Sequence, residues 1–268
     1  MSQTQQTTVF GDAIDKQVHI QTEGRAIRPF KNMVGAVAGE YRLHADSGGL
    51  YVTSVNPSNT IMVDITMYRE AFDSFEAEES TFGIRGKSFG SALRHARYGV
   101  STNDEVSITI GDESLETETK RTVGKANATV NERVKLIDPA SIRAEPDIPA
   151  LDLPVQVEIE PDTLIEAYRL MDGNNKVLKL GSNGNGLVLR QDDDINQRNV
   201  ELECDVTEAS EFTYYSTGML GDLINGLHNG YVDTVTLKWG EDFPLKLGFE
   251  REGYYSGEYM IAPRIKSE

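Results

Sequence analysis

One cysteine in 268 residues is the first constraint on this chain. Cys204 has no partner within the chain, so no internal disulfide forms and no cysteine zinc site is built; this suits a reducing cytoplasm. Apolar runs are short as well. None reaches the length of about 18 residues that a membrane helix needs, and no membrane partner is expected. The opening Met1-Ser-Gln-Thr-Gln-Gln-Thr-Thr8 lacks the basic and apolar regions of a signal peptide. The four histidines (His19, His44, His95, His228) show neither an H-E-x-x-H motif nor i,i+4 spacing. Walker A and Rossmann fingerprints are missing too, so no metal, no cofactor and no nucleotide hydrolysis are expected. Asp192-Asp-Asp194 lacks the loop glycine and distal glutamate of a calcium site and reads as a solvated loop.

Positive charge is the other scarcity. Eleven lysines and 15 arginines face 43 acidic residues, for a net charge of −17. Such an excess keeps chains apart, and molar salt would screen the self-repulsion, so the composition points to a high-salt cytoplasm. The balance is uneven along the chain. Residues 1–137 carry 15 basic and 18 acidic residues; residues 138–268 carry 11 and 25. A surface that meets a polyanion therefore belongs to the first half.

The length suits two domains of about 130 residues each. The halves read as diverged copies of one plan. Each opens with a strand and an amphipathic helix, followed by a glycine-marked hairpin at Ser47-Gly-Gly49 or Asn183-Gly-Asn-Gly186. Each continues with a strand feeding a second helix: Ser80–Arg85 before residues 87–98, and Glu211–Tyr215 before residues 217–229. Strands such as Glu105–Gly111 and Val232–Trp239 alternate apolar and polar residues, which favours antiparallel sheets with helices on one face, an α+β architecture. Residues 1–15 read as a disordered polar extension ahead of a first strand at Gln17–Ile20. Domains are expected at 16–137 and 151–268. The connector at 138–150 is held extended by Asp138-Pro139 and Glu145-Pro-Asp-Ile-Pro149.

Helical spacing predicts a first helix over about 26–38, with Pro29 in its first turn, Ile27, Val34 and Val37 inward, and Arg25, Arg28 and Lys31 on another side. The second helix, 87–98, would turn Phe89, Leu93 and Ala96 inward and Lys87, Arg94 and Arg97 outward. Each stripe alone reads as a solvated face. Two stripes in so acidic a chain suggest a polyanion. Helices at about 162–172 and 217–229 offer only Arg169 and His228. One catalytic motif competes: Gly86-Lys-Ser-Phe-Gly90 matches the G-x-S-x-G elbow of a serine hydrolase using Ser88. No HGGG-like oxyanion loop accompanies it, and only His95 and His228 follow Ser88.

Three blocks carry a family resemblance. The ending Glu258-Tyr-Met-Ile-Ala-Pro-Arg-Ile-Lys-Ser-Glu268 resembles the closing segment of the proliferating cell nuclear antigen (PCNA) family of DNA sliding clamps, especially its archaeal members. Leu136–Pro149 is similar to that family's interdomain connecting loop, and Ser54–Thr66 to its partner-binding strand and loop. The resemblance implies a two-domain DNA-clamp fold with sheets outside and helices inside, closing into a homotrimeric ring around duplex DNA. It implies a processivity factor with no catalytic residue, opened by a clamp loader and docking DNA polymerase, flap endonuclease and ligase through PIP-box peptides. Arg28, Lys31, Lys87, Arg94, Arg97 and Arg169 would then face DNA. Val55, Asn59, Met62, Ile148, Pro149, Pro244, Met260, Ile261, Ala262 and Pro263 would form the peptide pocket, although each alone also reads as core packing. Val130, Val134 and Leu136, with Val200, Leu202 and Cys204, would lie at the subunit interface. The weakly basic second half keeps open a specialised or decoy clamp, or one subunit of a mixed ring, that binds partners without loading on DNA.

Overall fold

The computed structural model describes residues 17–98, 103–171, 173–192 and 196–265. The expected N-terminal extension lies outside them, as do Asp193, Asp194 and the last three residues of the C-terminal block. The first half runs β1 (Val18–Glu23), α1 (Gly24–Gly35), β2 (Glu40–Asp46), β3 (Gly49–Val55), β4 (Ile61–Tyr68), β5 (Ser74–Ala77), β6 (Ser80–Arg85), α2 (Gly86–Ala92), β7 (Glu105–Ile110), β8 (Ser114–Val123) and β9 (Ala126–Lys135). The second runs β10 (Val155–Ile159), α3 (Pro161–Arg169), β11 (Val177–Ser182), β12 (Gly186–Asp192), β13 (Gln197–Glu203), β14 (Ser210–Ser216), α4 (Thr217–Gly230), β15 (Thr234–Trp239), β16 (Leu245–Arg251) and β17 (Tyr255–Ile261). Apart from the extra β5, the two halves repeat one element order.

The registered strand pairs are antiparallel, as the alternation requires. The architecture is α+β. Two compact units result, and the chain passes between them more than once. The first gathers the described residues of Met1–Lys31, Glu40–Tyr51 and Met67–Arg143; the second gathers Asn32–Gly39, Val52–Thr66 and Ala144–Glu268. In the first unit one sheet has the order β5-β1-β7-β8-β9, and β2 pairs with both β3 and β6. Val18, Ile20, Val106, Ile108, Ile110 and Leu115 bury its core face. In the second unit the order β10-β15-β16-β17 continues into β4, and a separate sheet has the order β13-β12-β11-β14. Trp239, Leu245, Leu247, Tyr255 and Tyr259 fill the core beneath the former. Helices α3 and α4 pack together because Gly221 leaves room for Tyr168, whose hydroxyl donates to the Thr217 carbonyl at 2.9 Å.

Helix limits differ from the sequence expectation in a consistent way. Helix α1 starts at Gly24, directly after β1, because the Gly24 N–H is already satisfied by the Asp104 carbonyl. Pro29 therefore falls inside the helix and removes one internal hydrogen bond there, instead of occupying the first turn. Helix α2 ends at Ala92, six residues before the expected limit at Tyr98. Beyond it the chain tightens into i,i+3 turns, Arg94 N–H donating to Ser91 and Ala96 N–H to Leu93, and Asp104 then holds Arg97: its carboxylate accepts from the Arg97 backbone N–H at 2.9 Å, and its own N–H donates to the Arg97 carbonyl. Helix α3 ends at Arg169, and α4 starts where a cap is present, with Ser216 Oγ accepting from Met219 N–H.

The entry to the connector is laid down by two devices, both in the first unit. Ile137 bridges to Gly83, and a Cβ at Gly83 would sit 2.0 Å from the Ile137 carbonyl oxygen. Arg42 then spreads its guanidinium over three carbonyls, donating to Pro139 (3.0 Å), Ile142 (2.8 Å) and Arg143 (2.9 Å). Asp138 caps the short 3-10 turn Pro139–Ser141 between them. Gly83→Ala is expected to lower stability by about 2 kcal/mol or more, measured as a fall in the urea midpoint. Arg42→Ala is expected to make residues 138–143 exchange amide hydrogens faster while the β7–β8 core keeps its protection, with Arg42→Lys restoring protection only in part, since an ammonium cannot span three carbonyls.

Candidate nucleic-acid and peptide interfaces

The five first-unit cations expected to meet a polyanion are not equivalent. Arg28 on α1 donates to the Ala96 carbonyl at 2.7 Å and lies over the Tyr98 ring, 4.8 Å from its centroid. Lys31, one turn on, is half-buried above Gly90 of α2, where an added Cβ would come within 2.9 Å of its Nζ. Burial, and then the charge of Arg28, push the Lys31 ammonium below its ordinary pKa. Lys87 is exposed on α2. Arg94 follows the shortened helix and pairs with Glu132 at 3.1 Å, while donating to His95 at 2.9 Å. Arg97 forms a fork with Asp104, at 3.1 and 3.0 Å. Arg94 and Arg97 thus leave the helical stripe that the spacing predicted and spend much of their charge on carboxylates. In the second unit Arg169 is exposed and paired with Glu166 on the same helix at 2.6 Å.

The residues expected to form a peptide pocket all fall within the second unit. Their scaffold is the β3–β4 turn. Asn56 organises it, its Oδ1 accepting from the backbone of Thr60 (2.8 Å) and Ile61 (3.2 Å), which lets Asn59 adopt a left-handed φ of 57°. The C-terminal segment docks on the same turn, with Ala262 N–H donating to the Thr60 carbonyl at 2.8 Å. Arg264 extends the attachment through its N–H to Tyr214 and its guanidinium to Lys176. Val55, Met62, Pro244, Ala262 and Pro263 are half-buried; Asn59, Ile148 and Pro149 are exposed. Met260 and Ile261 are buried, at 5% and 0% exposure, instead of lining an open surface. Ile261 sits opposite Leu245 on the core face of β17, whereas Met260, opposite Lys246, belongs to the other face and is covered there. Phe243, 46% exposed beside Pro244, is an apolar group that the sequence reading passed over.

The strands expected at a subunit interface are outer ones: β9, carrying Val130 and Val134 and followed by Leu136, and β13, carrying Val200 and Leu202 and followed by Cys204. Ser88 lies within α2 in an antiparallel setting, not at a strand-to-helix elbow of a parallel sheet. Asp192 is no open cation ligand. It accepts from Lys179 (2.5 Å), Arg190 (2.9 Å) and Gln197 (3.0 Å).

Comparison with known proteins gives one consistent answer. None of the protein-family models matches the chain. A curated relative from Methanococcoides burtonii, named DNA polymerase sliding clamp, is 27% identical over 240 residues, covering 88% of this chain and 93% of the relative. Relatives of the same name from Archaeoglobus fulgidus and Halobacterium salinarum are 27% identical over 253 residues and 29% over 243, covering 91% and 87% of this chain and 97% and 93% of their own lengths. Among solved structures, A. fulgidus PCNA bound to the C-terminal region of FEN-1 superposes with a TM-score of 0.79 at 24% identity, over 94% of this chain and all of that one. Thermococcus kodakaraensis PCNA gives 0.77 at 20% identity, over 92% of this chain and all of that one. The chain is similar in sequence to DNA polymerase sliding clamps and shares the fold of PCNA.

Asp192 supplies a test of how the clamp holds its second unit together. Burial alone would raise its carboxyl pKa, but the bonds from Lys179, Arg190 and Gln197 and the charge of Lys179 outweigh it and bring it down to about 2. With the folded value below the unfolded one, the stabilisation is present at neutral pH and disappears as pH falls from about 4 towards 2. Asp192→Asn is expected to unfold at lower urea at pH 7, and to show a flatter loss of stability across that acid window than the parent.

Proposed function

We propose that this clamp is a DNA polymerase processivity factor that closes into a homotrimeric ring around duplex DNA in a high-salt cytoplasm. The observation that supports this most directly is agreement in both sequence and fold with sliding clamps over about nine-tenths of the chain. On this reading, residues 16–137 and 151–268 are the two clamp domains joined by the connector, and the outer strands β9 and β13 pair between subunits. Heterologous contacts of this kind close only if the rotation fits, and three two-domain copies place six similar domains around the hole. Arg28, Lys31 and Lys87 carry the contact with phosphate, with Arg94 and Arg97 partly neutralised by their carboxylates. Weak phosphate contact is tolerable because a closed ring is held by topology, whereas counterion-driven affinity falls steeply with salt.

Partners dock on the second unit around Val55, Met62, Ile148, Ala262 and Pro263. A relative of this fold binds the C-terminal region of FEN-1, and we infer that this chain takes equivalent peptides from a flap endonuclease, polymerase and ligase. Exposed aliphatic and thioether groups accept aromatic anchors, and Met62 adapts to several of them.

Light scattering in molar potassium chloride is expected to give about three times 29.7 kDa. A monomer at every salt concentration overturns the homotrimer. On nicked circular DNA, a clamp loader and ATP are expected to leave the protein on the circle until the DNA is cut. Peptide binding without retention identifies a decoy. Ala262→Glu is expected to weaken a peptide carrying two aromatic anchors about tenfold or more by fluorescence anisotropy, without changing the solution mass.

A further inference from the structure

The outer face of the β10-β15-β16-β17 sheet carries a feature that neither the ring nor an aromatic pocket requires. Strand registers place Gln156 opposite Lys238, Lys238 opposite Lys246, and Lys246 opposite Met260, so these four residues form one row across four strands. Two lysines directly opposite each other repel, which makes the pair costly to the sheet. The pair also stands in the half of the chain that has 11 basic against 25 acidic residues. Glu258 accepts from Lys246 at 2.9 Å and offsets one of the charges. Lys238 is exposed, and the described residues include no ion-pair partner for it.

A groove of about 400 Å³ runs beside the row. Its floor is bare at Gly248, where a Cβ would meet only Thr236, at 3.7 Å or more. Leu151, just past the connector, stands at its rim. The neighbouring rows carry Glu158 with Glu258, and Glu250. They confine the cationic character to the Lys238–Lys246 row. That row runs from the connector side of the sheet to β17, whose end carries Ala262 and Pro263.

Resting on the reading of a peptide-docking clamp, we propose that Lys238 and Lys246 select partner peptides by binding an acidic residue that flanks the hydrophobic anchors. Charge complementarity identifies the occupant as a carboxylate, and continuity with the β17 end of the docking surface identifies its carrier as the same peptide. A partner carboxylate relieves the repulsion between the two ammonium groups and takes the donors of Lys246 that Glu258 leaves unused. The two lysines divide this role: exposed Lys238 is a mobile point charge that meets a carboxylate in a range of geometries, while Lys246, 15% exposed and held by Glu258, offers a fixed donor.

The test uses labelled peptides that share a glutamine, an aliphatic residue and two aromatics, and that carry three glutamates or three glutamines at one end or the other. Anisotropy at about 0.15 M potassium chloride is expected to show one glutamate-flanked peptide binding the parent clamp about fivefold tighter than its glutamine counterpart. Lys238→Gln combined with Lys246→Gln is expected to remove that preference while leaving the glutamine peptide's affinity unchanged. Glu258→Gln, which removes the competing carboxylate, is expected to widen it. Equal binding of both flanks by the parent, or a preference that survives in the double variant, overturns the proposal. Displacement of the glutamate peptide by short duplex DNA also overturns it and reassigns the lysines to phosphate. Failure of both peptides to bind instead refutes the docking reading itself. Circular dichroism and solution mass confirm that each variant keeps the parent fold.

Discussion

The candidate docking surface depends on one joint between distant parts of the chain: the backbone hydrogen bond from Ala262 to Thr60. Asn56 prepares the acceptor by folding the β3–β4 turn around its own side chain, and β17 delivers the donor at its end. Without the turn the tail would be a frayed terminus. Joined, they place half-buried apolar groups beside backbone that is already satisfied. A partner docking there, as proposed, would lose little ordering entropy, because the surface is largely formed in advance.

Charge in this clamp is managed by pairing more than by composition. Asp104 recruits Arg97, with Arg121 also close, and Glu132 recruits Arg94, so the apparent basic stripe of the second helix becomes a set of ion pairs. Burial alone would raise the Asp104 carboxyl; the Arg97 bonds and the neighbouring positive charges bring its pKa below the ordinary value instead. Arg28 and Lys31 are treated differently. One is held by a carbonyl and an aromatic ring, the other is pressed against a glycine and kept close to a like charge. Such groups favour an anion at close range without strong long-range attraction, as the proposed ring on DNA would need.

The same logic separates the two faces of the second unit's sheet. The core side is a continuous apolar layer around Trp239, Tyr255 and Tyr259, and the outer side carries the lysine row, the glycine floor and the acidic rows. Gly257 shows how tightly the core side is set: a Cβ there would meet the Asp64 carbonyl oxygen at 2.3 Å. A rigid layer of this kind lets the outer face carry an electrostatic strain such as Lys238 opposite Lys246 without losing register.

The family was legible in the sequence because its signals are local. The alternation of Glu105–Gly111, the connector prolines and the ending Glu258–Pro263 each specify backbone geometry by residue type alone, and so do the glycine hairpins at Ser47 and Asn183. The α+β class and the repeat followed from them. What required tertiary structure was every feature set by a partner that helical or strand periodicity does not name. Asp104 claimed Arg97, strand pairing set Ile261 in the core, packing covered Met260 on the other face, and register brought Lys238 and Lys246 face to face. Periodicity reports which side of an element a residue occupies. Only the packed fold decides which atoms stand opposite it, because those contacts join segments whose spacing carries no local signal.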